Sequence, residues 1–119
     1  MVDLSGKTAL VTGGAKGIGV GIVLELVRCG ANVIINYHSS SDGVWLAGQV
    51  QEMGGRAIAV QADVTDRGQV KRMVEAGNEA FGKIDILINN AAYQCNIPFK
   101  EYTQSNLDKI FTTNLYGYL

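Results

Sequence analysis

The sequence predicts an α/β fold, a doubly wound parallel sheet, from three observations. Short apolar runs alternate with helix-period segments along the chain. A glycine-rich stretch, Thr12-Gly13-Gly14-Ala15-Lys16-Gly17-Ile18-Gly19, lies between the first run and the first helical segment. The helical segments that follow stop at glycine: Gly30, Gly54-Gly55 and Gly82. The resulting order is βαβαβαβα.

The strand-like runs fall at Thr8–Val11, Asn32–Ile35, Ala57–Gln61 and Ile84–Ile88. Each is short and nearly continuous in apolar residues, as strands covered on both faces require. The first helix, Gly17 to Cys29, carries Ile18, Ile22, Leu26 and Cys29 along one stripe. A second spans Asp42 to Met53, with Ser41 or Asp42 as its cap. The third, Asp66 to Phe81, places Val70, Met73, Val74, Gly77 and Phe81 at helical spacing. A last helix is expected from Thr103-Gln104-Ser105 to the end of the chain, with Leu107, Ile110, Phe111 and Leu115 as its apolar face.

Right-handed crossovers between parallel strands give the strand order 3-2-1-4, a Rossmann-type arrangement. Ligands of such sheets bind beyond the carboxyl ends of the strands where the order reverses, here between the first and fourth strands. Gly13–Gly19 and Asn89-Asn90-Ala91-Ala92 both emerge at that place. A strand that turns through glycines into a helix presents free backbone N–H groups and a positive dipole end, which suit a nucleotide phosphate. A purely structural turn is the plainer alternative for such glycines.

With 119 residues, 47% of them hydrophobic, the chain is expected to form one domain, residues 1–119, around a single core. Lys and Arg total 10 and Asp and Glu 11, a formal net charge of −1 without a long single-sign run, which argues against a nucleic-acid partner. The N-terminus lacks a signal-peptide pattern and no apolar stretch approaches membrane-spanning length, so a soluble, cytoplasmic protein is expected. Cys29 and Cys95 stand apart, which suggests neither a metal site nor a disulfide framework.

The motifs together resemble one family, the short-chain dehydrogenases/reductases, and the match covers that family's N-terminal half. It rests on Thr12, Gly13, Gly17 and Gly19 in the Thr-Gly-x-x-x-Gly-x-Gly pattern, Asp63-Val64 after the third strand, Asn89-Asn90-Ala91 after the fourth, and Asn114. The resemblance implies that Asp63 receives the adenine amino group and that the backbone at Val64 helps hold the base. A lone Asp in this place also suits a turn, with Asp66 the better helix cap. Asn90 is expected as a scaffold that ties the fourth strand to its neighbours. The resemblance also implies that Ala91 and Ala92 contact the region of the nicotinamide ribose, where Ala92 departs from the glycine usual in the family.

A dinucleotide fold selective for NAD places an acid about twenty residues beyond the glycines, on the adenosine ribose. Here the second strand runs into Asn36-Tyr37-His38-Ser39-Ser40, with no carboxylate before Asp42. That absence removes the repulsion a 2′-phosphate would meet, and Lys16 supplies a cation beside the turn. NADP is therefore the expected cofactor, with NAD possible, and Ala15, Ile18, Tyr37, His38 and Ser39 complete the expected contacts.

By the resemblance, catalysis uses a Ser and a Tyr-x-x-x-Lys, with Asn114 supporting a water chain. No Tyr-x-x-x-Lys occurs in this sequence, so the expectation is a cofactor-binding half whose catalytic segment falls beyond Leu119, inactive by itself. The complete enzyme would act on a small carbonyl or alcohol compound, and a homo-oligomer or a complementing chain is expected. The competing reading is a noncatalytic nucleotide-binding or interaction module. A methyltransferase-like binder is disfavoured by the missing ribose-binding acid.

Overall fold

The computed structural model describes residues 2–39, 41–91, 103–105 and 108–109. Their elements run β1 (Thr8–Val11), α1 (Ile18–Arg28), β2 (Asn32–Tyr37), α2 (Asp42–Glu52), β3 (Ala57–Gln61), α3 (Arg67–Phe81) and β4 (Ile86–Ile88). The strands form one parallel sheet in the order β3-β2-β1-β4, as the sequence predicts. Thr103, Gln104, Ser105, Asp108 and Lys109 are the described part of the expected last helix; its apolar face, Leu107, Ile110, Phe111 and Leu115, lies outside the described residues, as does Cys95.

Alternation along the strands divides the core between the two sheet faces. Val11, Val33 and Ile35 pack with Val23 of α1 and with Leu46, Ala47 and Val50 of α2. On the opposite face Leu10 and Ile34 pack with Met73 of α3. Helices on both faces make the sheet doubly wound and leave its carboxyl edge free for the loops.

Three sequence expectations shift. The inner stripe of α1 is centred on Gly19 and Val23, whereas Ile18 is 79% exposed. Hydrophobic periodicity credits Ile18 and overlooks Gly19, which faces the core side because it must pack against the preceding turn. Strand β2 runs on through Asn36 and Tyr37, which continue the ladder against Val60 and Gln61. Strand β4 begins at Ile86, because the Asp85 carboxylate accepts the Thr8 amide at 3.0 Å and closes the entry to β1. Its Leu87 shares the α3 face with its register partner Leu10 but is 56% exposed, so that end of the sheet is not covered by the described helices.

Candidate functional site

The glycine turn is held both by its own residues and by the segment after β4. Thr12 is buried, and its hydroxyl donates to the Ile88 carbonyl at 3.3 Å while accepting the amides of Asn90 at 2.9 Å and Ala91 at 3.0 Å. One side chain thereby joins the ends of β1 and β4. Asn90 returns the tie, donating from Nδ2 to the Gly13 carbonyl at 3.0 Å, which is the scaffold role the sequence suggests.

Gly17 starts α1 at φ 55°, ψ −129°, a conformation open to glycine and strained for other residues. Gly19 is required for a different reason. A Cβ there would run into the Gly13 carbonyl oxygen and stand 2.8 Å from Asn90 Nδ2 and 2.9 Å from Gly14 Cα. The helix can approach the turn this closely only without a side chain at Gly19.

The amides of the turn divide into used and open groups. Gly13 donates to Asn36 Oδ1 and Gly14 to the Asn36 carbonyl, while Gly19 and Val20 donate to the carbonyls of Lys16 and Gly17. Among the described residues, no acceptor lies on the amides of Ala15, Lys16, Gly17 or Ile18. Helix α1 has neither a side-chain cap nor an acid in its first turn. Open donors, a helix dipole and the exposed Lys16 side chain make this end of α1 fit an anionic phosphate group.

Across the carboxyl edge, Asp63 lies at the end of the segment after β3. Its Oδ1 accepts the Thr65 hydroxyl at 2.6 Å and the Thr65 amide at 2.9 Å. The Thr65 hydroxyl is the main reason its carboxyl titrates below the usual carboxylate range. The other oxygen lies 3.6 Å from Nε2 of His38, so the loops after β2 and β3 meet here. Asp66 caps α3, accepting the amides of Gly68 and Gln69, as its position in the sequence suggests.

Tyr37 and His38 follow Asn36 at the end of β2, and Ser39 is exposed beside them. The Tyr37 ring lies against Gly43 in the first turn of α2, where a Cβ on Gly43 would overlap it. Val64 is half-buried next to Asp63. The expected contacts at Ala92 and Asn114 lie outside the described residues.

Two contributors escape the sequence reading. Asn36, 2% exposed, joins the glycine turn to the segment after β3, and Gly43 makes room for Tyr37. An amide inside the apolar run of β2 is a visible signal for the first. The second has no signal, since the contact joins a strand end to a separate helix.

This arrangement agrees with the chain's similarity to known proteins. The family model for short chain dehydrogenases matches residues 7–119. The chain belongs to the short-chain dehydrogenase/reductase family. It is 41% identical over 120 residues to an uncharacterized oxidoreductase of Methylorubrum extorquens, a match that takes in 100% of this chain and 48% of that protein. A hydroxynaphthalene reductase of Aspergillus fumigatus is 40% identical over 95% of this chain and 42% of its own length. The chain thus spans about half the length of the curated relatives it matches. Among solved structures, a blue fluorescent protein from a metagenomic library, in complex with NADPH, superposes with a TM-score of 0.85 at 36% identity, over 97% of this chain and 48% of that one. Among the described residues no helix is long and apolar enough to cross a membrane, and no cluster of His, Cys, Asp and Glu is placed to hold a metal ion.

Proposed function

We propose that this chain forms the cofactor-binding part of an NADP(H)-dependent oxidoreductase that interconverts a carbonyl compound and an alcohol. The observation that carries the reading is the run of open amides at Ala15, Lys16, Gly17 and Ile18, at the start of a helix without a cap. These donors, with Thr12, Gly13 and Gly19 shaping the turn, hold the pyrophosphate. Lys16, Tyr37, His38 and Ser39 border the adenosine 2′-position, and the end of β2 brings no acid of its own before Asp42 to repel a phosphate there. The NADPH bound by the metagenomic relative supports the choice of cofactor.

On the same reading Asp63 and Val64 flank the adenine, and Asn90, Ala91 and Ala92 flank the nicotinamide ribose. The Asp63 carboxyl stays ionised across the neutral range, which leaves it an acceptor for the hydrogen bond of the adenine amino group. Asn114 serves the proton path. When bound, the nicotinamide supplies or accepts the hydride. The chain's own residues place it: the amides at the start of α1 fix the phosphates, and Thr12 and Asn90 fix the edge between β1 and β4 over which the ring would lie.

Fluorescence titration with NADPH and NADH tests the reading. Saturable binding with NADPH the tighter ligand is the expected result, and equal or absent binding of both would overturn it. In the complete protein, NADPH binding without reduction of any carbonyl compound would favour a noncatalytic module instead.

A further inference from the structure

Strand β2 buries Ile34 and Ile35 fully, yet continues with a polar residue, Asn36, that is 2% exposed. An amide in such surroundings is tolerated only when its polar atoms are paired. Asn36 pairs them with segments far apart in sequence. Oδ1 accepts the Gly13 amide at 3.1 Å and the main-chain carbonyl accepts the Gly14 amide at 3.0 Å. Nδ2 donates to the Ala62 carbonyl at 3.0 Å and lies 3.4 Å from the Val60 carbonyl. Ala62 directly precedes Asp63-Val64.

We propose that Asn36 is a positioning residue that couples the glycine turn to the segment carrying Asp63 and Val64, so that the phosphate side and the adenine side of the site are preorganised as one unit. The inference rests on the dinucleotide reading of the site. Because the amide plane of Asn36 is pinned at both ends, a shift of one segment must move the other. By occupying the Gly13 and Gly14 amides, Asn36 also settles where the open donors begin, at Ala15. An aliphatic residue would continue the apolar pattern of β2 but would strip partners from the Gly13 amide and the Ala62 carbonyl together.

Two variants separate coupling from simple stabilisation. Asn36→Leu removes both arms at similar volume. Asn36→Asp keeps the acceptor for Gly13 and replaces the donor that faces the Ala62 carbonyl. Hydrogen exchange, read amide by amide well below the melting temperature, should quicken in Asn36→Leu at Gly13, Ala62 and Asp63 together, with Leu10 and Ile34 unchanged. NADPH affinity should fall about tenfold in the same folded protein, the scale of losing buried hydrogen-bond partners. In Asn36→Asp exchange should quicken at Ala62 and Asp63 while Gly13 stays protected; should Asn36→Leu not fold, this variant alone decides. A uniform rise in exchange, or unchanged NADPH affinity in folded Asn36→Leu, overturns the proposal. Failure of the unaltered chain to bind NADPH overturns the cofactor reading instead, and exchange then decides the coupling by itself.

Discussion

Helices α1 and α3 each follow a strand of the same sheet and pack on opposite faces, yet they begin in opposite ways. Asp66 precedes α3 in an extended conformation and its carboxylate accepts the amides of Gly68 at 2.9 Å and Gln69 at 3.2 Å. Gln69 reaches back to Asp66 Oδ2 at 3.1 Å, so the start of α3 is closed by its own sequence. Helix α1 starts on Gly17 with no side-chain cap. The difference teaches that a helix start which the sequence leaves unsatisfied, beside a sheet edge where strand order reverses, is available for a ligand's oxygen atoms to complete.

The largest expected effect breaks the α1 start itself. Gly19→Val forces a branched side chain against the Gly13 carbonyl, Asn90 Nδ2 and Gly14 Cα, and backbone atoms cannot yield as a flexible side chain would. Overpacking of this kind costs about 1–3 kcal/mol of folding stability, and because the clash is relieved only by moving the turn that carries the open amides, NADPH affinity should drop by about tenfold or more in the protein that still folds. Titration of protein shown folded by circular dichroism checks this, and undiminished affinity would remove Gly19 from the site. The cation beside the turn should matter less. Lys16→Ala should weaken NADPH by about 1 kcal/mol more than NADH, as expected for an exposed side chain on a phosphate. Equal losses for the two cofactors would make Lys16 a general phosphate contact.

The two helix starts were unequally legible in the sequence. For α3 the cap Asp66, the inner positions Met73 and Gly77 and the stop at Gly82 all follow from local rules, because the signals lie within a turn or two of where they act. For α1 the glycines mark the turn, but the buried face is displaced by one residue, from Ile18 to Gly19, because Gly19 packs by lacking a side chain. The strand order follows from connection rules. What stayed hidden is contact between segments distant in sequence. Asn36 looks like a polar interruption of β2 until the Gly13 amide and the Ala62 carbonyl are placed on either side of it. Gly43 likewise gains its meaning only from the Tyr37 ring beside it.

At the closed start of α3, stability should change and binding should not. Asp66→Ala should lower Tm by a few degrees at neutral pH and leave NADPH affinity intact. The sign of the pH dependence follows from the cap. The Gln69 amide, with further help from the Gln69 side chain and the Gly68 amide, holds the Asp66 carboxyl below its ordinary value of 3.8. A carboxyl depressed by folding stabilises fully above that ordinary value and loses its contribution as pH falls through the folded one. The Tm gap between Asp66→Ala and the unaltered chain should therefore be wide at pH 7 and narrow below about pH 4. A gap of constant width would show that the ionised cap is not what closes this helix.

The smallest expected effect sharpens the contrast within α1, since its glycines are not alike. Gly21 lies two residues after Gly19 on the exposed side of the same helix, and a Cβ there would meet nothing within 4 Å. No close approach or positive φ requires it, so it only adds flexibility to the unfolded chain and weakens the helix. Gly21→Ala should raise stability by about 0.5–1 kcal/mol, read as a higher urea midpoint at unchanged slope. NADPH affinity should stay as it was, because α1 would be firmer while its open start is untouched. A loss of affinity here would mean that the open start of α1 needs the helix to flex, and the view of that start as a preformed, rigid donor array would fall.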